Sequence, residues 1–180
     1  MWMNGLTKYA VLMAKKEQKV KYSVILDTSF MIRLLNGNEP LHKNAMGYFR
    51  YFLENDIPMY FSTISIAEYC VRGDFDDLPF QNIRVLPFNI LHAKLAGTFA
   101  DILYKGRQTG LIVVPDRVII PNDSKLFAQG ACEGDIKYFV TSDTKSKANI
   151  DFLKRECSAE IEHLDIHIPH GNIFSILDLE

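Results

Sequence analysis

The chain has 180 residues, of which 48% are hydrophobic and 23% charged, and it carries a formal net charge of −2 with a pI near 6.2. This length suits one domain of roughly 100–200 residues on a single sizeable core, and no apolar run approaches the about 20 residues of a spanning helix, which excludes a membrane-embedded protein. The charge balance excludes a generally basic nucleic-acid-binding surface, so any such contact has to come from a local patch.

Residues 1–21, "MWMNGLTKYAVLMAKKEQKVK", place a short interrupted apolar stretch before a basic run. A secretory signal has its charge before a longer apolar core, so this segment is expected to be an N-terminal extension outside a domain spanning 22–180. "SVIL" then reads as a buried strand that climbs to Asp27. A buried, unpartnered carboxylate is too costly to occur by neglect, so Asp27 is expected at the open end of the strand, facing something positive. "FMIRLLNGNEP" has Met31, Leu34 and Leu35 at helical spacing with Asn36-Gly37 as the stop, and the next helix carries Leu41, Ala45, Tyr48, Phe49 and Phe52 on one stripe. "MYFSTIS" predicts a second strand and "SIAEYCVRG" a helix start that carries Glu68. The acidic loop "GDFDDLPF" lacks the Gly and terminal Glu of an EF-hand.

"IRVLPF" predicts a third strand, and "HAKLAGTFADILYKG" a helix with Leu95, Phe99, Ile102 and Leu103 inward. "GRQTG" is no Walker loop, since no Gly-Lys-Ser/Thr follows; it reads as a surface loop whose Arg107 joins Lys105 and Arg117 in a basic rim. "RQTGLIVVPDRVIIP" is expected to be extended and broken at Pro115. "NDSKLFAQGACEG" predicts a helix opened by Asn122 with Leu126, Phe127 and Cys132 inward, and "DIKYFVTSD" a strand rising to Asp143. "SKANIDFLKREC" is a further helix and "AEIEHLDIHIP" a last strand. On that strand His163 and His167 would share a face, but no Cys or acid completes a tetrahedral set with them and His170, so no zinc site is expected. Cys70, Cys132 and Cys157 lack C-x-x-C spacing and predict buried free thiols in a reducing compartment, the cytoplasm.

Strands alternating with helices predict an α/β fold, an α/β/α sandwich with a mainly parallel central sheet. In such sheets ligands bind beyond the carboxyl ends of the strands, and Asp27, Glu68, Asp123 and Asp143 all fall on that edge. Each has a structural explanation as well. Ser65 to Glu68 matches a capping box, Asp123 suits a helix N-terminus, and Asp143 could cap the helix after it. Together, however, four converging carboxylates repel one another unless a cation or shared protons neutralise them. Mg²⁺ (or Mn²⁺) is the natural counter-ion, because it takes oxygen ligands, keeps several waters and suits phosphodiester hydrolysis.

The chain resembles the PIN-domain nucleases, and among them the VapC-like toxin ribonucleases. The likeness lies in "VILDTSFMIRLL", "STISIAEY", "PNDSKLFAQGA" and "YFVTSD", in family order, across roughly residues 22–169. It implies a PIN-like domain and an endoribonuclease that hydrolyses RNA phosphodiester bonds. It also implies catalytic roles for Asp27, Glu68, Asp123 and Asp143, with Asp27, Asp123 and Asp143 holding the metal and Ser29 and Thr141 supporting them. A homodimer and an antitoxin partner are implied too. Many members carry a further acid two positions after the last Asp. Here Lys145 stands there, which leaves a second metal unsupported and makes Lys145 and Lys147 candidates for holding a substrate phosphate. The extension before the first strand is also outside the common toxin pattern. Three alternatives remain: a PIN-type RNA-processing nuclease, a non-catalytic PIN module that binds RNA or protein, and an aspartyl-phosphate phosphatase suggested by "ILDTS". The phosphatase usually has a second Asp where this chain has Ser29.

Overall fold

A computed structural model describes residues 22–112 and 122–177. Strand β1 (Ser23–Leu26) is buried along its whole length, as a strand covered on both faces has to be. It lies at the centre of a five-stranded sheet of order β3-β2-β1-β4-β5, formed with β2 (Met59–Ser62), β3 (Arg84–Leu86), β4 (Ile136–Thr141) and β5 (Glu162–Asp165). Every pairing is parallel. The order reverses beside β1, because the chain builds outward through β2 and β3 and then returns to place β4 on the other side. Such a reversal opens a crevice at the carboxyl ends of the two strands that flank it.

Alternation along the strands divides the core in two. Val24 and Leu26 of β1 and Val140 of β4 pack against Phe30, Met31, Tyr48 and Phe52, which come from α1 (Thr28–Leu35) and α2 (His42–Glu54). Ile25 and Phe139 point the other way, onto Leu103, Leu126, Phe127 and Ile150. These come from α4 (Ile90–Gln108), α5 (Asn122–Cys132) and α6 (Lys145–Cys157). The short helix α3 (Thr63–Tyr69) follows β2, and α7 (His170–Leu177) closes the α1/α2 side. Phe174 of α7 stacks on Tyr51 at 4.2 Å and meets Tyr48 edge-on. The α/β/α sandwich with a parallel sheet is therefore observed.

Several expectations need correction. The second strand ends at Ser62, and Thr63 onward is helix. No helix was expected after Pro169, yet α7 is there. The helix α4 continues through Gly106 and Arg107, so "GRQTG" is half helix. The last strand stops at Asp165, which leaves His167 in a turn where it pairs with Asp165. All three cysteines, Cys132 among them, are exposed rather than buried. Residues 1–21, the Pro115 break and Arg117 lie outside the described residues. Among the described residues no helix is long and apolar enough to cross a membrane.

Candidate active site

Asp27 is the first residue beyond β1 and the N-cap of α1. Its backbone N–H donates to Val140 O of β4 at 2.9 Å, which fixes it at the β1/β4 crevice. Its Oδ1 accepts the Thr28 N–H at 2.8 Å. Its Oδ2 accepts the Ser29 hydroxyl at 2.5 Å, the Thr141 hydroxyl at 2.7 Å and, more weakly, the Ser29 N–H at 3.3 Å. Both hydroxyl protons are thus spent on Asp27 Oδ2. Ser29 Oγ and Thr141 Oγ1, 3.0 Å apart, are left as acceptors for the next loop. Ser29 Oγ takes the Ser142 N–H at 3.0 Å, and Thr141 Oγ1 takes the Asp143 N–H at 2.9 Å. A single polar cluster therefore ties the end of β1 to the segment that carries Asp143. Burial raises the Asp27 pKa, with the hydroxyls and amides of Ser29, Thr141 and Thr28 pulling it down.

Asp143 accepts the Lys145 N–H at 2.9 Å, so part of the capping role suggested by its position is present. Its backbone carbonyl accepts from His163 Nε2 at 3.3 Å, which gives that histidine a structural use. Asp123 lies in the first turn of α5 and accepts a 3.3 Å bond from the Ser146 hydroxyl. Its pKa is pushed up to about 6, first by burial, then by the charges of Asp27 and Asp143, with Glu68 adding less. Asp123 is therefore close enough to each of the other three carboxylates to feel its charge.

Glu68 is not a capping-box residue. The cap of α3 is Ser62, whose Oγ accepts the Ile64 N–H at 3.0 Å, so Glu68 lies past the first turn and Ser65 is buried inside the helix. The Glu68 carboxylate instead accepts the Thr28 hydroxyl at 2.6 Å and the Asn122 side-chain amide. Asn122 in turn accepts from Lys125 Nζ at 2.8 Å. Thr28, Asn122 and Ser146, which hold the acids in place, were missed as site residues. Each stands next to an acid or in a helix first turn, where a capping explanation is enough, and only long-range partners reveal the other use. Lys147 pairs with Asp151 at 2.9 Å on the helix surface. The Lys145 side chain is exposed, and its contact with the site runs through its backbone.

Among the described residues no three His, Cys, Asp or Glu side chains already stand as a chelating set. The donors nonetheless suit a hard cation held by one or two carboxylates and waters. They are all oxygens, Asp27 Oδ1 accepts one hydrogen bond among the described residues, and burial followed by the charges of Asp27 and Asp143 leaves ionised Asp123 in need of a positive partner.

No family model matches the chain, and no curated protein matches it. Among solved structures it is similar to VapBC2 from Rickettsia felis bound to a promoter DNA fragment, at 18% identity over 79% of this chain and 98% of the other, with a TM-score of 0.49. It is similar to VapC20 from Mycobacterium tuberculosis, a toxin that cleaves the sarcin-ricin loop, at 18% identity over 70% and 94% with a TM-score of 0.48. The DNA-bound VapBC from Salmonella typhimurium gives 18% identity over 79% and 98% and a TM-score of 0.47.

Proposed function

We propose that this chain is a divalent-metal-dependent endoribonuclease of the PIN type that acts on single-stranded or looped RNA as the toxin of a toxin–antitoxin pair. One observation carries the reading. At the β1/β4 crevice, Asp27 and Asp143 from two strand ends, Glu68 from α3 and Asp123 from the start of α5 gather, and burial, followed by the charges of Asp27 and Asp143, lifts Asp123 to about 6. A protein gains no stability from such an arrangement, which makes sense as a site for a cation and a phosphate.

Asp27, Asp123 and Asp143 would hold Mg²⁺ or Mn²⁺. When bound, the metal supplies a water of lowered pKa and neutralises charge on the phosphate oxygens. Ser29 and Thr141 fix the orientation of Asp27. Glu68, clamped between Thr28 and Asn122, positions the attacking water from the outer side of the site. The exposed Lys145 side chain offers a phosphate contact at the rim, with Lys147 behind it. A homodimer, an antitoxin and a cytoplasmic setting belong to the same proposal. The aspartyl-phosphatase alternative fits less well, because three donors already occupy Asp27 Oδ2 and hold the carboxylate still.

Cleavage of single-stranded RNA with Mg²⁺ or Mn²⁺ tests the proposal. Asp27→Asn and Asp143→Asn are each expected to reduce the rate by at least about 100-fold, at or beyond the loss typical of disturbed metal sites. Inactive protein whose divalent-metal binding is unchanged by both substitutions defeats the proposal. Metal binding that depends on these acids, with no cleavage, identifies a binding module instead.

A further inference from the structure

Helix α3 has two serines able to cap it, Ser62 and Ser65, and the two starts would use Glu68 differently. With Ser65 as the cap, Glu68 would stand at the third helical position, where a capping-box glutamate turns back to the cap residue's own N–H. The start at Ser62 instead puts Glu68 past the first turn, with its carboxylate on Thr28 and Asn122. That start carries a local cost. Ser65 Oγ is buried and finds no hydrogen-bond partner among the described residues, whereas as a cap it would accept an N–H of the helix that follows it. Something outside α3 therefore has to favour Ser62.

Gln129 of α5 does so. Its side chain is fully buried and bridges Ser62 and Leu86, which are register partners at the ends of β2 and β3. Its Nε2 donates to Leu86 O at 3.2 Å, and its Oε1 accepts the Ser62 hydroxyl at 2.5 Å. A carbonyl can only accept, so Leu86 O decides which end of the amide faces Ser62. The Ser62 hydroxyl then has to donate to Gln129, which leaves its lone pairs for the Ile64 N–H at 3.0 Å. Ser62 is thereby held ready as an acceptor at the helix start, an advantage that Ser65 lacks. Gln129 lies about two turns beyond Asn122 on α5. One face of the helix that carries Asp123 thus holds α3 at its start, through Ser62, and near its far end, through Glu68.

We propose that Gln129 is a positioning residue: it selects Ser62 over Ser65 as the cap of α3 and so keeps Glu68 in the site. The choice of cap rests on the hydrogen bonds; its effect on RNA cleavage rests on the function proposed above.

Gln129→Met, which removes the amide and nearly keeps the volume, tests this in the full-length protein. Backbone NMR chemical shifts of residues 63–65 read the helix start without reference to activity. They should be helical in the unmodified chain and extended in Gln129→Met. Adding Ser65→Ala should return them to helical, because the rival cap is then gone. Mg²⁺-dependent RNA cleavage should follow the same course. In Gln129→Met, kcat should fall by about 10–100-fold with KM little changed, and Ser65→Ala should restore most of it. Ser62→Gly removes the same bond from the other side at little cost to the cap itself. It should behave alike, and it decides the matter if Gln129→Met does not fold. Shifts that stay helical in Gln129→Met, or a loss of kcat that Ser65→Ala does not repair, overturn the proposal. Loss of the fold in both variants, unrelieved by Ser65→Ala, leaves Gln129 a structural role alone and overturns it too. If the shifts behave as expected but not even the unmodified protein cuts RNA, the choice of cap stands and the nuclease reading falls.

Discussion

Asp123 shows how the surroundings of one carboxylate turn into behaviour that can be measured. Its folded-state pKa of about 6 stands above the ordinary 3.8, and burial pushes Asp27 in the same direction. Between those two pH values the folded protein holds a proton that the unfolded chain has released. Metal-free stability therefore falls as pH rises through this window, the reverse of a salt-bridged aspartate. Asp123→Asn removes the titrating charge. It should make the metal-free protein more stable than the unmodified chain at pH 8, with the advantage fading as pH falls from about 6 to about 4, below which Asp123 is protonated in both states; urea unfolding at several pH values measures this. RNA cleavage should change in the opposite sense, rising across the same window as Asp123 ionises and becomes able to hold a cation. A single substitution that raises stability and abolishes activity would mark Asp123 as a residue kept at a cost to the fold.

The elements differ in how far local pattern determines them. The strands were legible because a parallel sheet covered on both faces needs short apolar runs, and "SVIL" and "YFVT" are such runs. The start of α3 was not, because "STIS" offers two serines with equal local claims to the cap. The choice falls to Ser62, whose Oγ also donates to the buried Gln129 Oε1 at 2.5 Å, a residue of α5. Helix α7 was missed for a similar reason, since its stability comes from Phe174 packing among Tyr48, Tyr51 and Phe52 of a distant helix. Two glycines of α4 make this contrast testable. A Cβ on Gly97 meets nothing within 4 Å, whereas one on Gly106 would stand 2.3 Å from the Phe152 ring. Gly97→Ala should then stabilise the protein by about 0.5–1 kcal/mol through backbone entropy alone. Gly106→Ala should destabilise it, by roughly 1–3 kcal/mol, as α4 and α6 are forced apart. Denaturant midpoints of the two variants decide the matter, and equal effects would remove the close-approach explanation.

At the scale of the whole molecule, the site exists because β1 and β4 are neighbours, although more than a hundred residues of chain separate them. Asp27 and Asp143 each announced a strand end in the sequence, but the adjacency of those ends is a property of the sheet order, which no local pattern encodes. The hydroxyl bridge through Ser29 and Thr141 is likewise visible only once the strands are side by side. This long-range origin has a thermodynamic consequence. Unfolding scatters the acids, so a divalent cation that needs several of them binds the folded chain alone and stabilises it by mass action, about 2.7 kcal/mol when its concentration is a hundred times Kd. Mg²⁺ at pH 8 should therefore raise the melting temperature well beyond what NaCl of equal ionic strength achieves, and a chelator should reverse the gain. At pH 5 the gain should shrink, because Asp123, with its pKa at about 6, is then mostly protonated and competes with the ion. In Asp27→Asn it should vanish at every pH, which separates a specific site from general screening of a cluster of like charges. Equal stabilisation by Mg²⁺ and by matched NaCl would leave the four acids without a cation and return each to its local capping role.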